Sequence, residues 1–184
     1  MIIYIHGFGG SAKGVKASSL RKALKEHNIL APTLSYNPDL AIDTLEQIIN
    51  SYKKYENIYL IGSSLGGFFS IYLAKKYNLK AVLINPATDP INILSTLVGQ
   101  ALNFGDLSKF EWNQNHVDTL KKYYVKDINP KNYMLLAQTG DEMIDYKIAK
   151  KELKGCIQII EQGGNHGFEN IEKYINDILN FFKK

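Results

Sequence analysis

Short, nearly unbroken apolar runs punctuate the chain at residues 2–5, 29–34, 58–61, 81–84, 133–137 and 157–160. Runs of that length, bounded by polar and turn-forming residues, are the pattern of strands buried on both faces. Between most of them the period changes. Leu45, Ile48, Ile49 and Tyr52 recur at helical spacing, and so do Ile171, Tyr174, Ile175, Ile178, Leu179 and Phe182 near the carboxyl end. Each set makes one apolar stripe along a helix. Strand–helix alternation predicts an α/β fold in which parallel strands, joined by right-handed crossovers, form one twisted sheet with helices on both faces. No internal repeat or low-complexity tract breaks the pattern, and 184 residues suit a single domain, 1–184, with a substantial core.

One connection is too long for this scheme. Between the fourth run and Pro130, Leu94, Leu97, Val98, Ala101 and Leu102 fall at helical spacing, followed by Val117, Leu120, Tyr123 and Tyr124. Two amphipathic helices are expected there. An excursion from the carboxyl edge of a parallel sheet lies beside the place where such sheets bind ligands, so residues 87–130 are read as a small helical cap insertion over a site. The plainer alternative is two helices that only extend the core. Trp112, Phe104 and Phe110 either line such a cap or pack it.

The third run ends in chemistry. Ile58-Tyr59-Leu60-Ile61 leads into Gly62-Ser63-Ser64-Leu65-Gly66-Gly67 and then into a helix-like segment. Gly-x-Ser-x-Gly between a buried strand and a helix is the pattern of a nucleophile elbow, in which small residues let the backbone turn sharply and expose the serine hydroxyl. Ser64 is therefore the candidate nucleophile. A serine needs a base, a carboxylate to orient it, and donors for the oxyanion. His166, in Gly163-Gly164-Asn165-His166-Gly167, follows the last strand at the same sheet edge and is the candidate base. His6, His27 and His116 fit structural or solvated roles better.

The carboxylate is expected between serine and histidine in chain order. Asp141, in Gln138-Thr139-Gly140-Asp141-Glu142 after the fifth strand, fits best. Asp145 is more simply a helix N-cap, Glu142 is one residue out of register, and Asp89 follows the fourth strand at an alternative position. The oxyanion donors expected are the backbone N–H groups of Leu65, directly after the serine, and of Phe8, in the tight turn His6-Gly7-Phe8-Gly9-Gly10. That turn also invites comparison with a phosphate cradle. The comparison fails, because Lys13 is flanked by Ala12 and Gly14 where a P-loop needs Gly-Lys-Ser/Thr, and the third glycine of the dinucleotide pattern is missing.

Composition narrows the partners. With 45% hydrophobic and 22% charged residues the chain is neither disordered nor membrane-embedded in profile. A net charge of +4, with both signs scattered, lacks the basic footprint of a nucleic-acid binder. Cys156 is the only cysteine, so there is no internal disulfide and no cysteine cluster for a metal. The amino-terminal Ile2-Ile3-Tyr4-Ile5 is too short for a signal h-region, and with the lone cysteine it points to a cytoplasmic setting. No cofactor or metal is called for.

Taken together, Tyr4-Ile5-His6-Gly7-Phe8, Gly62 to Gly67, Asn85-Pro86-Ala87, Thr139-Gly140-Asp141-Glu142 and Gly163-Gly164-Asn165-His166 resemble the α/β-hydrolase superfamily. Within it the chain looks most like the small bacterial YqiA-like esterases, over nearly its whole length. The resemblance implies a compact α/β-hydrolase fold with six parallel strands, a triad of Ser64, Asp141 and His166, and carboxylic-ester hydrolysis; because the chemistry is shared, the expected substrate is a short-chain acyl ester or an acyl thioester. Departures are mild: Gly9-Gly10 stand where relatives often have more polar residues, and Asn165 where Asp is common. A non-catalytic ligand- or partner-binding protein on the same fold is the alternative.

Overall fold

The computed structural model describes residues 1–183. Its strands are β1 (Ile2–Ile5), β2 (Ile29–Leu30), β3 (Tyr59–Ser64), β4 (Lys80–Pro86), β5 (Gly99–Leu102), β6 (Lys109–Trp112), β7 (Tyr133–Gln138) and β8 (Ile157–Glu161). The α-helices are α1 (Val15–Ala23), α2 (Pro38–Tyr52), α3 (Leu65–Tyr77), α4 (Ile91–Ser95), α5 (Gln114–Leu120), α6 (Tyr146–Glu152) and α7 (Ile175–Lys183). Six strands form one sheet in the order β2-β1-β3-β4-β7-β8, and every pairing in it is parallel.

Alternation along the strands explains their unbroken apolar sequences. Ile3, Ile5, Leu60, Leu83 and Leu135 enter one core with Leu45 and Ile49 of α2, Phe68 and Phe69 of α3, and Ala149 of α6. Their neighbours Ile2, Tyr4, Ile61, Val82, Met134 and Leu136 enter a second core with Leu20 of α1 and Ile178, Phe181 and Phe182 of α7. Successive side chains point to opposite faces, and both faces are covered, so neither position tolerates a polar residue. The predicted sheet with helices on both sides is what forms. Helix α2 is capped at Asn37, which accepts from the amides of Asp39 and Leu40, and Pro38 occupies the first turn.

The strand order reverses direction at β1, which has β2 on one side and β3 on the other. Loops leaving the carboxyl ends of β1 and β3 therefore diverge and open a crevice. Both the Gly7–Gly10 turn and the β3–α3 turn at Ser64 sit at that point.

Two expectations need correction. The second run, 29–34, contributes only Ile29–Leu30 to the sheet. Pro32 has no N–H to give to a ladder, and the Leu34 amide donates to the His6 ring instead of to a strand. The helix expected over 94–102 is replaced by the single-turn α4 followed by β5, which pairs antiparallel with β6. Gly99 sits at φ +135°, a conformation no helix can contain. Of the apolar residues that suggested this helix only Leu94 is buried, and the fully buried Trp112 donates its indole N–H to the Leu94 carbonyl at 2.9 Å. The second expected helix forms as α5, with Val117 and Leu120 buried. None of the described helices is long and apolar enough to cross a bilayer.

Because Trp112 is fully buried in the larger core, Trp112→Ala is expected to cost about 3–5 kcal/mol, whereas Tyr55→Ala, at an 83% exposed position, stays within about 0.5 kcal/mol. Urea unfolding of the two variants against the unsubstituted chain measures both.

Candidate active site

Strand β3 ends at Ser64 and α3 begins at Leu65 with no intervening residue. The turn is made at Ser64 itself, whose φ of +54° and ψ of −124° are strained for a residue with a side chain. Close packing holds it there. A Cβ on Gly62 would collide with the Gly66 carbonyl and the Ser70 hydroxyl, and one on Gly66 with the Ile5 carbonyl of β1. The glycines two before and two after the serine are thus required by contact between strand, helix and neighbouring strand. The β3–β4 ladder slips at this point, and the Ser64 carbonyl accepts from the Ala87 amide at 3.0 Å.

Across the crevice, His166 Nδ1 lies 3.0 and 2.9 Å from the two oxygens of Asp141. The Asp141 side chain is 2% exposed. Its Oδ1 also accepts from the amides of Met143 and Ile144, both at 2.9 Å, so the turn after β7 is folded around the carboxylate. Burial opposes the charge, but the hydrogen bonds from His166 and those two amides outweigh it, and Asp141 titrates below its ordinary value. The rival carboxylates are engaged elsewhere. Asp145 caps α6 through the Lys147 amide at 2.9 Å, and Asp89 accepts from the Ile91 amide at 3.3 Å. Glu142 does reach the histidine, though at its backbone: it accepts from the His166 N–H at 2.9 Å. That bond from His166 is the main reason its carboxyl is also held low.

The loop carrying His166 is stitched from beneath by two residues to which sequence reasoning assigned no part in the site. Buried Asn85, at the end of β4 with φ +41°, donates from Nδ2 to the carbonyls of Asn165 (2.9 Å) and His166 (3.2 Å) and accepts from the Gln138 amide at 2.9 Å. Buried Gln138, at the end of β7, accepts on Oε1 from the amides of Asn165 and Glu169. Their one sequence signal is a large polar residue closing an otherwise apolar strand.

The turn after β1 approaches Ser64 from the other side. Gly7 is in direct contact: a Cβ on it would lie 2.9 Å from Ser64 Cβ. Leu65, as the first residue of α3, has an N–H with no intrahelical acceptor. The Phe8 ring packs edge-on against Trp112 at 4.9 Å and Phe110 at 5.6 Å, and the Gly9 carbonyl accepts from the Phe104 amide at 2.7 Å. The hairpin of β5 and β6 is thus docked on this turn. Ser64 and His166 face one cavity of about 540 Å³, lined also by Phe8, Leu65, Leu94, Leu97, Leu102 and Phe104. No hydrogen bond joins the serine hydroxyl to the imidazole among the described residues, an arrangement common before substrate arrives.

The other histidines and the cysteine have surroundings of their own. His27 is exposed. His116 accepts on Nδ1 from the Asn113 amide in a capping box at α5 and stacks on Trp112. His6 is buried between two loops. Cys156 is half-buried, and burial pushes its thiol up to about 11, so it stays protonated at neutral pH. Among the described residues no cluster of three His, Cys, Asp or Glu side chains is placed to hold a metal ion.

Residues 1–183 match the uncharacterised protein family UPF0227. The chain belongs to that family. Several solved structures share its fold. Est1E from Butyrivibrio proteoclasticus, solved with ferulic acid bound, is 17% identical, with 100% of this chain and 89% of that one covered at a TM-score of 0.75. The mouse α/β hydrolase domain-containing protein 10 is 15% identical over 97% of this chain and 89% of its own, with a TM-score of 0.73. A monoacylglycerol lipase from Paleococcus ferrophilus is 15% identical over 97% and 91%, with a TM-score of 0.65. At these identities the likeness establishes the α/β-hydrolase fold.

The lowered Asp141 carboxyl has a pH signature. A carboxyl depressed on folding contributes stability that is fully present above its unfolded value, about 3.8, and is lost as pH falls through the lower folded one. Chemical denaturation between pH 6 and pH 2 is expected to show the unsubstituted chain losing more stability below about pH 4 than Asp141→Asn does.

Proposed function

We propose that the chain is a serine hydrolase of carboxylic esters, working through an acyl-enzyme on Ser64. The observation that carries this reading is the Asp141–His166 pair, closed at 2.9 Å and facing the same cavity as the strained serine. Ser64 Oγ attacks the acyl carbon while His166 Nε2 takes its proton. Asp141, bonded at Nδ1, keeps the proton on that nitrogen and leaves Nε2 free to act as base, then stabilises the imidazolium. The Phe8 and Leu65 amides receive the oxyanion of the tetrahedral intermediate. On collapse, His166 returns the proton to the departing alcohol or thiol, and a water activated by the same imidazole releases the acid.

Residues 87–130 act in this reading as a cap. Leu94, Leu97, Leu102 and Phe104 give the cavity a mostly apolar wall, which suits the hydrocarbon part of a small acyl ester or thioester. The lone, unreactive Cys156 is compatible with a reducing, cytoplasmic setting.

Turnover of a p-nitrophenyl ester tests the assignment of roles. Ser64→Ala is expected to abolish measurable hydrolysis. Asp141→Asn should lower kcat by about 10⁴-fold, through loss of the correct imidazole tautomer, while Asp145→Asn, which keeps an acceptor oxygen for the α6 cap, should keep it within about tenfold. The opposite ordering of the two aspartates would move the acid to Asp145.

A further inference from the structure

One buried imidazole has no part in the reaction as drawn. His6 closes β1, is 9% exposed, and makes two hydrogen bonds of different kinds. Its Nε2 lies 2.9 Å from the Leu34 amide, which can only donate, so Nε2 carries a lone pair. Burial holds the ring below its ordinary pKa of 6.5, and it is neutral at pH 7. The single ring proton therefore sits on Nδ1, which donates to the Gly7 carbonyl at 2.8 Å. The Gly10 amide donates to the same carbonyl at 3.1 Å. A Cβ on Gly10 would lie 2.9 Å from His6 Nδ1, so the ring is seated directly against the turn.

The Gly7 carbonyl and the Phe8 N–H belong to one rigid peptide unit. In a trans peptide the two point in opposite directions, and rotating one rotates the other. Donors that pin the Gly7 oxygen thereby set the direction of the Phe8 N–H, next to a glycine that touches Ser64. We infer that His6 is a positioning residue for oxyanion stabilisation, its Nδ1–H holding the Gly7–Phe8 peptide so that the Phe8 amide faces the carbonyl oxygen of a substrate on Ser64. This rests on the serine-hydrolase reading and on Phe8 as a donor within it. The two ring nitrogens then have separable tasks. Nδ1 serves the reaction, whereas Nε2 satisfies a buried amide and ties the segment after β2 to the turn after β1.

Three variants separate these tasks. His6→Leu removes both bonds and is expected to lower kcat by about 10²-fold with KM changed less than about threefold, because the oxyanion contact is made in the transition state. His6→Asn places an amide NH2 near the position of Nδ1 but cannot reach Leu34; it should recover most of the lost kcat while Tm stays low. His6→Gln places a carbonyl near the position of Nε2; it should recover Tm while kcat stays low. If kcat follows Tm across the set, or His6→Gln turns over as fast as His6→Asn, His6 is purely structural and the inference is overturned. A long-range ¹H–¹⁵N correlation on the unsubstituted chain at pH 7 gives a second test independent of variant folding: the proton is expected on Nδ1, and a proton on Nε2 overturns the inference. An unsubstituted chain that hydrolyses no ester overturns the hydrolase reading together with this one, whereas an active chain whose variants lose kcat and Tm in step overturns the role of His6 alone.

Discussion

The close approach of α3 to the ends of β1 and β3 is the constraint from which the rest of the site follows. Glycine at positions 62 and 66 lets the helix backbone lie against the strand that precedes it and against the Ile5 carbonyl of β1. Ser64, caught between, takes up a positive φ that costs of the order of 1–3 kcal/mol. That cost is supported by the packing of Leu65, Phe68 and Phe69 into the larger core. The same approach brings Gly7 against the serine and places the free N–H of Leu65 at the start of the helix. One packing contact thus exposes a hydroxyl and draws two loops of the switch point to it.

The opposite wall is built differently. Phe168 anchors the far end of the His166 loop in the second core, but polar bonds fix the part that carries the imidazole. Asn85 and Gln138, buried polar residues at the ends of adjacent strands, satisfy its backbone from below, while Asp141 and Glu142 grip the ring and the amide of His166. Such a network fixes a geometry only when each member is satisfied. The third wall, the segment between β4 and β7, is tied to the turn after β1 through Trp112 and Phe110 against the Phe8 ring and through the bond from the Phe104 amide to the Gly9 carbonyl. The proposed oxyanion turn therefore lies between a rigid helix start on one side and the hairpin on the other.

Much of this was readable in the chain before any coordinates, and the reason is physical. Strands covered on both faces carry nearly unbroken apolar runs, so β1, β3, β4 and β7 announce themselves, and the edge strand β8 does so through Ile157, Ile159 and Ile160. Gly62 and Gly66 around Ser64 answer a local steric demand, and Asp141 and His166 lie in the loops that follow β7 and β8, which gather at one sheet edge. The hairpin escaped because Leu94, Leu97, Val98, Ala101 and Leu102 satisfy a helical period while serving a short helix, a turn and a strand. Only Gly99 hinted at the break. The roles of Asn85 and Gln138, and the bond from the His166 amide to Glu142, were not legible because each joins backbone groups remote in sequence, which no spacing encodes. His6 was read as structural; its two bonds show that its structure is that of the turn beside Ser64.

The central claim is that Ser64 is a nucleophile activated by its surroundings. Incubation with a fluorophosphonate probe, followed by peptide mass mapping, tests it most directly. The account predicts stoichiometric modification confined to Ser64 and none in Ser64→Ala. A folded, unlabelled chain, or a label on another residue, would contradict it.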